Sequence, residues 1–245
     1  MLRIKKKMYI PAAAAVLLAA ASLLAVMGWD RGKLTSAQGG TSGERCVVLD
    51  AGHGGDDPGK IGINGALEKD VNLAITLLVK QYLEESDIRV VLTRETSEGL
   101  YDAGASNKKV QDMKRRIGII EENSPDVTVS IHQNSYPEEY VHGAQVFYYT
   151  GSEEGKALAE KIQRRLVEGV DPENKRQVKA NDSYYLLKKT RVPIVIVECG
   201  FLSNAEEAEK LCTEEYREKL KTLGLGLEDR MTSKVGLLSG GQRQA

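Results

Sequence analysis

The chain has 245 residues, 41% of them hydrophobic and 28% charged, with 24 Gly and 6 Pro. That balance excludes a disordered, collagen-like or polytopic membrane chain and fits one domain of about 200 residues with a substantial core. The formal charge of −1 hides an asymmetry, because residues 1–32 hold five basic residues against one acid while the remainder carries 29 basic and 34 acidic residues. A mildly acidic body argues against nucleic-acid binding, which needs a basic surface. Cys46, Cys199 and Cys212 are too few and too far apart for a disulfide framework or a structural zinc knuckle.

The chain opens with Arg-Ile-Lys-Lys-Lys at residues 3–7, and Ile10 to Gly28 then carry no charge. A basic stretch before an apolar one is the signature of a secretory signal or a signal anchor. It is about as long as a minimal membrane span of roughly 17–25 residues. Thr35-Ser36-Ala37 is a poor cleavage site, so residues 1–28 are expected to anchor the chain, with the basic flank inside and the body outside. Residues 29–43 are polar and rich in Gly and Ser, hence a linker. The body therefore meets extracytoplasmic polymers.

From residue 44 onward strand and helix patterns alternate. Arg45–Asp50 is a short β-branched run ending in a Gly-rich loop, and Asp70–Glu84 follows with Val71, Ile75, Leu78 and Tyr82 at helical spacing. Ile88–Thr93 predicts a second strand. Val110, Met113, Ile117 and Ile120 predict the apolar stripe of a helix, with Lys114, Arg115 and Arg116 largely off it. Asp126–His132, Ala144–Tyr149 and Pro193–Glu198 predict strands, with a helix marked by Leu158, Ile162 and Leu166 before the last. Ser203-Asn204-Ala205-Glu206 reads as a capping box opening a final helix. The expected fold is α/β: a single three-layer domain over residues 44–222, with a twisted, mostly parallel but mixed sheet between helices. In such sheets sites collect at the carboxyl ends of strands.

Four residues fall at those positions: His53, Glu68, His132 and Glu198. Two neutral imidazoles and one carboxylate form a known ligand set for catalytic zinc, and the metal makes amide hydrolysis accessible at neutral pH. A second carboxylate outside that set can take the proton of the attacking water and pass it to the leaving amine. The bland reading is equally available, since a strand-end His often serves surface hydrogen bonds and a Glu before a helix complements its dipole. Separations of 15 and 64 residues between the three candidates match no local zinc motif, so spacing leaves both readings open.

The surrounding segments carry more. DAGHGGDDPGKIGINGALEKDVNL, SIHQNS and VPIVIVECGFLSN, in that order, resemble the zinc-dependent N-acetylmuramoyl-L-alanine amidases of bacteria (the amidase type 3 family) over residues 45 to about 222. The long insertion before the second His block, with LTRETSEGLYDAGASNKKVQDMKRR, and the later VHGAQVFYY and YYLLKKTRVP stretches are similar to the germination-specific, spore-cortex subgroup. The resemblance implies one Zn²⁺ per chain held by His53, Glu68 and His132, with Glu198 as catalytic base. It also implies peptidoglycan as substrate, cleaved between the muramic lactyl group and L-alanine of the stem peptide. The need for an accessory protein stays open. Asn134 and Arg115 are candidate substrate contacts. Ala51 stands where the family commonly has Pro, His142 reads as a solvent-facing turn residue, and Cys199 as a small buried neighbour of the site. A zinc carboxypeptidase or a non-catalytic peptidoglycan-binding module remains as an alternative.

The far C-terminus departs from this pattern. Residues 223–245 contain Leu238-Ser239-Gly240-Gly241-Gln242, which resembles the signature segment of ABC-type ATPases, and Gly54-x-x-x-x-Gly59-Lys60 nearly spells a P-loop. Ile61 stands where a P-loop needs Ser or Thr, and no acidic strand follows the signature, which argues against an ATPase. This tail is expected to be poorly ordered.

Overall fold

The computed structural model describes residues 45–221 together with Leu223, Gly224 and Leu227. Six strands, β1 (Cys46–Ala51), β2 (Arg89–Leu92), β3 (Val127–Asn134), β4 (Gln145–Tyr149), β5 (Lys179–Asn181) and β6 (Ile194–Phe201), form one sheet in the order β2-β1-β3-β6-β4-β5. The β2-β1-β3-β6 half is parallel, β4 runs antiparallel to β6, and β5 is parallel to β4. Among the described residues it is accompanied by the helices α1 (Glu68–Glu85), α2 (Lys108–Asn123), α3 (Glu153–Gly169), α4 (Tyr185–Lys189), α5 (Ala205–Cys212) and α6 (Glu214–Lys219). The expected mixed, mostly parallel α/β sheet is present. No helix among the described residues is long and apolar enough to cross a membrane, and residues 10–28 lie outside them.

Side chains alternate across a strand, so each strand feeds two separate layers. Val47, Leu49, Val129, Ile131, Val195 and Val197 pack with α1, α3 and α5 into the larger apolar cluster. Val48, Phe147, Ile194 and Ile196 point the other way and meet Ile120 of α2 and Leu186 and Leu187 of α4. On this second face the residues change character toward the carboxyl ends. Asp50 follows Val48, Ser130 and His132 follow Thr128, and Glu198 follows Ile196, all on the period of two. The sheet thus delivers a polar row to one end of an otherwise apolar layer.

Several elements differ from expectation. The stripe of α1 runs deepest along Val71, Ile75, Val79 and Leu83, one helical position away from Leu78 and Tyr82. In α2 Val110 is 46% exposed, and the two buried residues are Ile120 and Arg116. Arg116 is therefore on the buried face, not off it, because acids wait for it there. Asn204, not Ser203, caps α5: its side chain accepts from the Glu207 backbone N–H at 2.9 Å. Glu207 turns away from the box and accepts from the backbone N–H of Phe201 and Gly143, at 2.8 and 3.0 Å. Strand β5 and helix α4, of three and five residues, are too short to announce themselves by periodicity.

The core also runs past residue 222. Leu223 and Leu227 are helical and fully buried in the larger cluster. A domain boundary at 222 therefore falls inside the packed body; the rest of the expected tail lies outside the described residues. Leu223→Ala and Leu227→Ala should each lower unfolding free energy by about 2–5 kcal/mol, as expected for buried leucines. Urea denaturation checks this, and changes below about 0.5 kcal/mol, as at surface sites, would remove both from the core.

A candidate metal centre at the strand ends

Strand β1 ends in a Gly-rich turn whose backbone is tightly held. Gly52 continues the β1–β3 pairing by donating its N–H to the Ile131 carbonyl at 3.0 Å. The next residue, His53, takes a φ of 63°, a left-handed conformation uncommon outside Gly and costly enough to need support. That support comes from two arginines. Arg116 donates to the carbonyls of Ala51, at 2.7 Å, and His53, while Arg94 donates to those of Ala51 at 2.9 Å and Gly52 at 3.0 Å. Three successive carbonyls are thereby fixed, and the imidazole direction with them.

The arginines are anchored in turn. Arg116 pairs with Asp50 and Asp112 at 2.6 Å each, and Asp50 also accepts from Thr93 at 2.7 Å and Ser130 at 2.6 Å. Burial opposes the Asp50 charge, yet Arg116 and the two hydroxyls bring its carboxyl down to about 2. Sequence reading did not find this network, since its members come from β1, β3, α2 and the residues just past β2.

His53 Nδ1 lies 3.1 Å from Asp57 Oδ2, and its Nε2 lies 3.2 Å from Glu68 Oε1. An imidazole steadied by a carboxylate on one nitrogen presents the other in a fixed direction. His132, at the end of β3, reaches the same Glu68 oxygen through Nδ1 at 3.1 Å. Its ring lies directly over Gly52, where any Cβ would collide with it. Glu68 is 4% exposed and begins α1. Its Oε2 accepts from the Lys60 N–H at 2.7 Å, and its Oε1 from the Gln133 N–H at 3.1 Å. Burial opposes its charge, but the hydrogen bonds and charges of His132 and His53 hold it far below the ordinary carboxylate range.

One donor atom from each of His53, Glu68 and His132 lies within 4.8 Å of the others. Two imidazoles and an ionised carboxylate, converging at one end of the sheet, fit a borderline-soft divalent cation such as Zn²⁺ better than an all-oxygen Mg²⁺ or Ca²⁺ shell. Glu198 sits beside this group, because the β3–β6 register pairs it with His132. It is 7% exposed, and its Oε2 has no hydrogen-bond partner among the described residues. Burial raises its carboxyl to about 7, with His132 opposing and Glu68 adding to the rise. A cavity of about 440 Å³ opens beside the two imidazoles, lined by His53, His132, Met113, Tyr184, Leu186 and Ile196 among others.

The remaining candidates fall elsewhere. Arg115 pairs with Asp102 at 2.8 Å on the surface and does not line the cavity. Asn134 ends β3, its side chain accepting from the Ser135 N–H at 2.8 Å, also outside the cavity lining. His142 is exposed. Cys199 points into the larger apolar cluster, where burial pushes its thiol far up. The near P-loop at Gly54–Lys60 cradles no phosphate. Its N–H groups are already committed: Gly54 to the Asp57 carbonyl, Gly55 to the Ser97 carbonyl, Gly59 to the Asp57 carboxylate and Lys60 to Glu68.

Residues 47–224 match the family model described as N-acetylmuramoyl-L-alanine amidase. The chain is 35% identical over 179 residues to the germination-specific N-acetylmuramoyl-L-alanine amidase of Bacillus subtilis, covering 72% of this chain and 75% of that one. Among solved structures it resembles the CwlD amidase of Clostridioides difficile, determined in complex with the GerS lipoprotein. The TM-score is 0.75 at 38% identity, covering 77% of this chain and 99% of that one. The amidase AmiC2 of Nostoc punctiforme is similar at TM-score 0.67 and 31% identity, over 78% of this chain and 99% of that one. The fold and strand-end site thus define a peptidoglycan hydrolase of the α/β type. The chain belongs to the N-acetylmuramoyl-L-alanine amidase family.

The Asp50–Arg116 pair has a measurable signature. A carboxyl lowered from 3.8 to about 2 contributes stability that is fully present above pH 3.8 and lost as pH falls through about 2. Asp50→Asn should abolish this acid dependence and cost about 3–5 kcal/mol at neutral pH, because Arg116 is left buried against a neutral partner. Chemical denaturation of both proteins from pH 2 to 7 checks it; a variant as stable as the parent at neutral pH would contradict the assignment.

Proposed function

We propose that the chain binds one Zn²⁺ through His53, Glu68 and His132 and hydrolyses the amide between N-acetylmuramic acid and L-alanine of the peptidoglycan stem peptide. The observation that carries this reading is the pairing of a three-donor group with a buried carboxylate one strand away, one of whose oxygens has no partner among the described residues. Bound there, zinc supplies a Lewis acid that lowers the pKa of water toward about 7 and polarises an amide carbonyl. The chain's own residues do the rest. Asp57 steadies His53, and the backbone of Lys60 and Gln133 orients Glu68. Glu198, with its carboxyl raised to about 7, is poised to accept a proton from the attacking water and return it to the leaving amine.

Likeness to a germination-specific amidase favours spore cortex as the peptidoglycan acted on. The similar Clostridioides difficile amidase is seen in complex with a lipoprotein, which supports an accessory protein here as well. An extracytoplasmic substrate also fits the apolar, basic-flanked stretch at residues 10–28, which we take as the anchor. Cell fractionation should then recover the full-length chain with the membrane, and a mature soluble form beginning near residue 38 would instead show a cleaved signal.

The two acids separate experimentally. Glu198→Gln should retain zinc and lose about 10²–10⁴-fold in the rate at which new L-alanine amino groups appear. Glu68→Gln should weaken zinc binding itself, because a neutral amide is a poor ligand for a divalent cation. Bound zinc and released amino groups are measured on both variants. A Glu198→Gln protein that cleaves at the parental rate would remove Glu198 from the mechanism.

A further inference from the structure

One wall of the cavity carries a hydrogen-bond donor that neither zinc binding nor proton transfer uses. Tyr184 stands just after β5, where Asn181 Oδ1 accepts from the N–H groups of Ser183 and Tyr184 at 2.8 Å each and turns the chain. Its ring packs edge-on against Phe147, with centroids 5.6 Å apart and an interplanar angle of 68°. The β4–β6 register sets Phe147 beside Ile196 and Gln145 beside Glu198. Phe147, Ile196 and Glu198 therefore share one sheet face, and Tyr184 lies against that face. Tyr184 lines the same cavity as His53, His132 and Ile196.

The cationic groups around the cavity already face acids. Lys108 pairs with Asp56 at 2.5 Å, Lys109 faces Asp57 at 3.8 Å, and Arg116 holds Asp50 and Asp112. The Tyr101 hydroxyl already accepts from the Asp56 N–H at 2.5 Å, His53 lies between Asp57 and Glu68, and His132 meets Glu68 through Nδ1. Tyr185 also lines the cavity but is 45% exposed. The half-buried Tyr184 hydroxyl has no hydrogen-bond partner among the described residues. Burial, and then the charges of Glu198 and Glu68, push this phenol up to about 12, so it keeps its proton across the neutral range.

We propose that the Tyr184 hydroxyl is a catalytic residue that donates a hydrogen bond to the acyl oxygen of the scissile amide. The inference rests on the amidase reading above. In the addition step the water oxygen bonds to the acyl carbon, a water proton passes to Glu198, and the carbonyl π pair moves onto the acyl oxygen. Negative charge then develops opposite the phenol O–H. In the collapse step that pair re-forms the carbonyl, the C–N bond breaks, and Glu198 returns the proton to the nitrogen. The products are a lactyl carboxyl group and the free amino group of L-alanine. A donor on the cavity wall that meets the developing oxyanion acts on the transition state more than on bound substrate.

Tyr184→Phe isolates the hydroxyl, because the ring and its packing on Phe147 remain. With the zinc-loaded full-length chain and purified peptidoglycan, kcat should fall by about 10²-fold, the usual effect of removing one oxyanion donor. KM, zinc content and thermal midpoint should stay at parental values. A kcat within about threefold of the parent, far from that expected loss, overturns the proposal. So does loss of zinc or of thermal stability in the variant, which would give the hydroxyl a structural role. If the parental protein itself, loaded with zinc, releases no L-alanine amino groups, it is the amidase reading that fails.

Discussion

A buried ion pair between Asp50 and Arg116 governs the geometry of the whole catalytic end. Neither side chain meets solvent, and each charge is surrounded by groups that only the folded chain assembles. Such a pair adds little net stability, because desolvation cancels most of the attraction. Its consequence is positional. Once Arg116 is fixed by Asp50 and Asp112, its remaining N–H groups reach the carbonyls of Ala51 and His53, and the left-handed turn at His53 has a reason to persist. Arg94 holds the same turn from the other side through Ala51 and Gly52. A His in strained backbone is useful only if the strain is overruled, and here two guanidinium groups do so.

The same constraint explains why glycine recurs along this turn. His132 occupies the space above Gly52, and His53 and Glu68 crowd the space at Gly59, whose φ is 65°. A Cβ at either position would displace a proposed ligand. The turn brings His53 back toward the start of α1, so that residues 15 apart in sequence meet at one carboxylate.

The sequence made the scaffold legible where a single strand or helix carries its own signal. β-branched and aromatic runs marked five of the six strands, and His53, His132 and Glu198 were visible at or just past strand ends because hydrophobic runs stop there. Pairwise chemistry was less visible. Arg116 beside Lys114 and Arg115 reads as a solvated face of α2, and nothing local says that Asp50, 66 positions earlier, neutralises it. Asp57 could have been suspected from its place four residues after His53, yet only the turn aims it at Nδ1. Ser203 looked like the helix cap because the box pattern fits it; the helix instead begins at Ala205 with Asn204 as cap, and the Glu207 carboxylate goes to the N–H groups of Gly143 and Phe201. Short elements such as β5 and α4 had no period long enough to read, and the tyrosine between them came to the cavity through tertiary packing alone.

Two glutamates near one pair of imidazoles end with opposite tendencies, and the difference is entirely environmental. Both are buried, so both pay desolvation, which favours the neutral acid. Glu68 offsets that cost with two imidazoles and backbone N–H donors pointing at its oxygens, and it stays ionised well below the ordinary range. Glu198 lies along β6 with apolar Ile196 two residues before it, one oxygen unpartnered, and the Glu68 charge nearby. Its carboxyl rises to about 7, where a proton can be gained and lost at neutral pH. A ligand must hold its charge, and a general base must be able to give up and regain a proton. One carboxylate among donors at a helix start, and the other between His132 and Gln145 with one oxygen unpartnered, suit the proposed ligand and the proposed base with the same side chain.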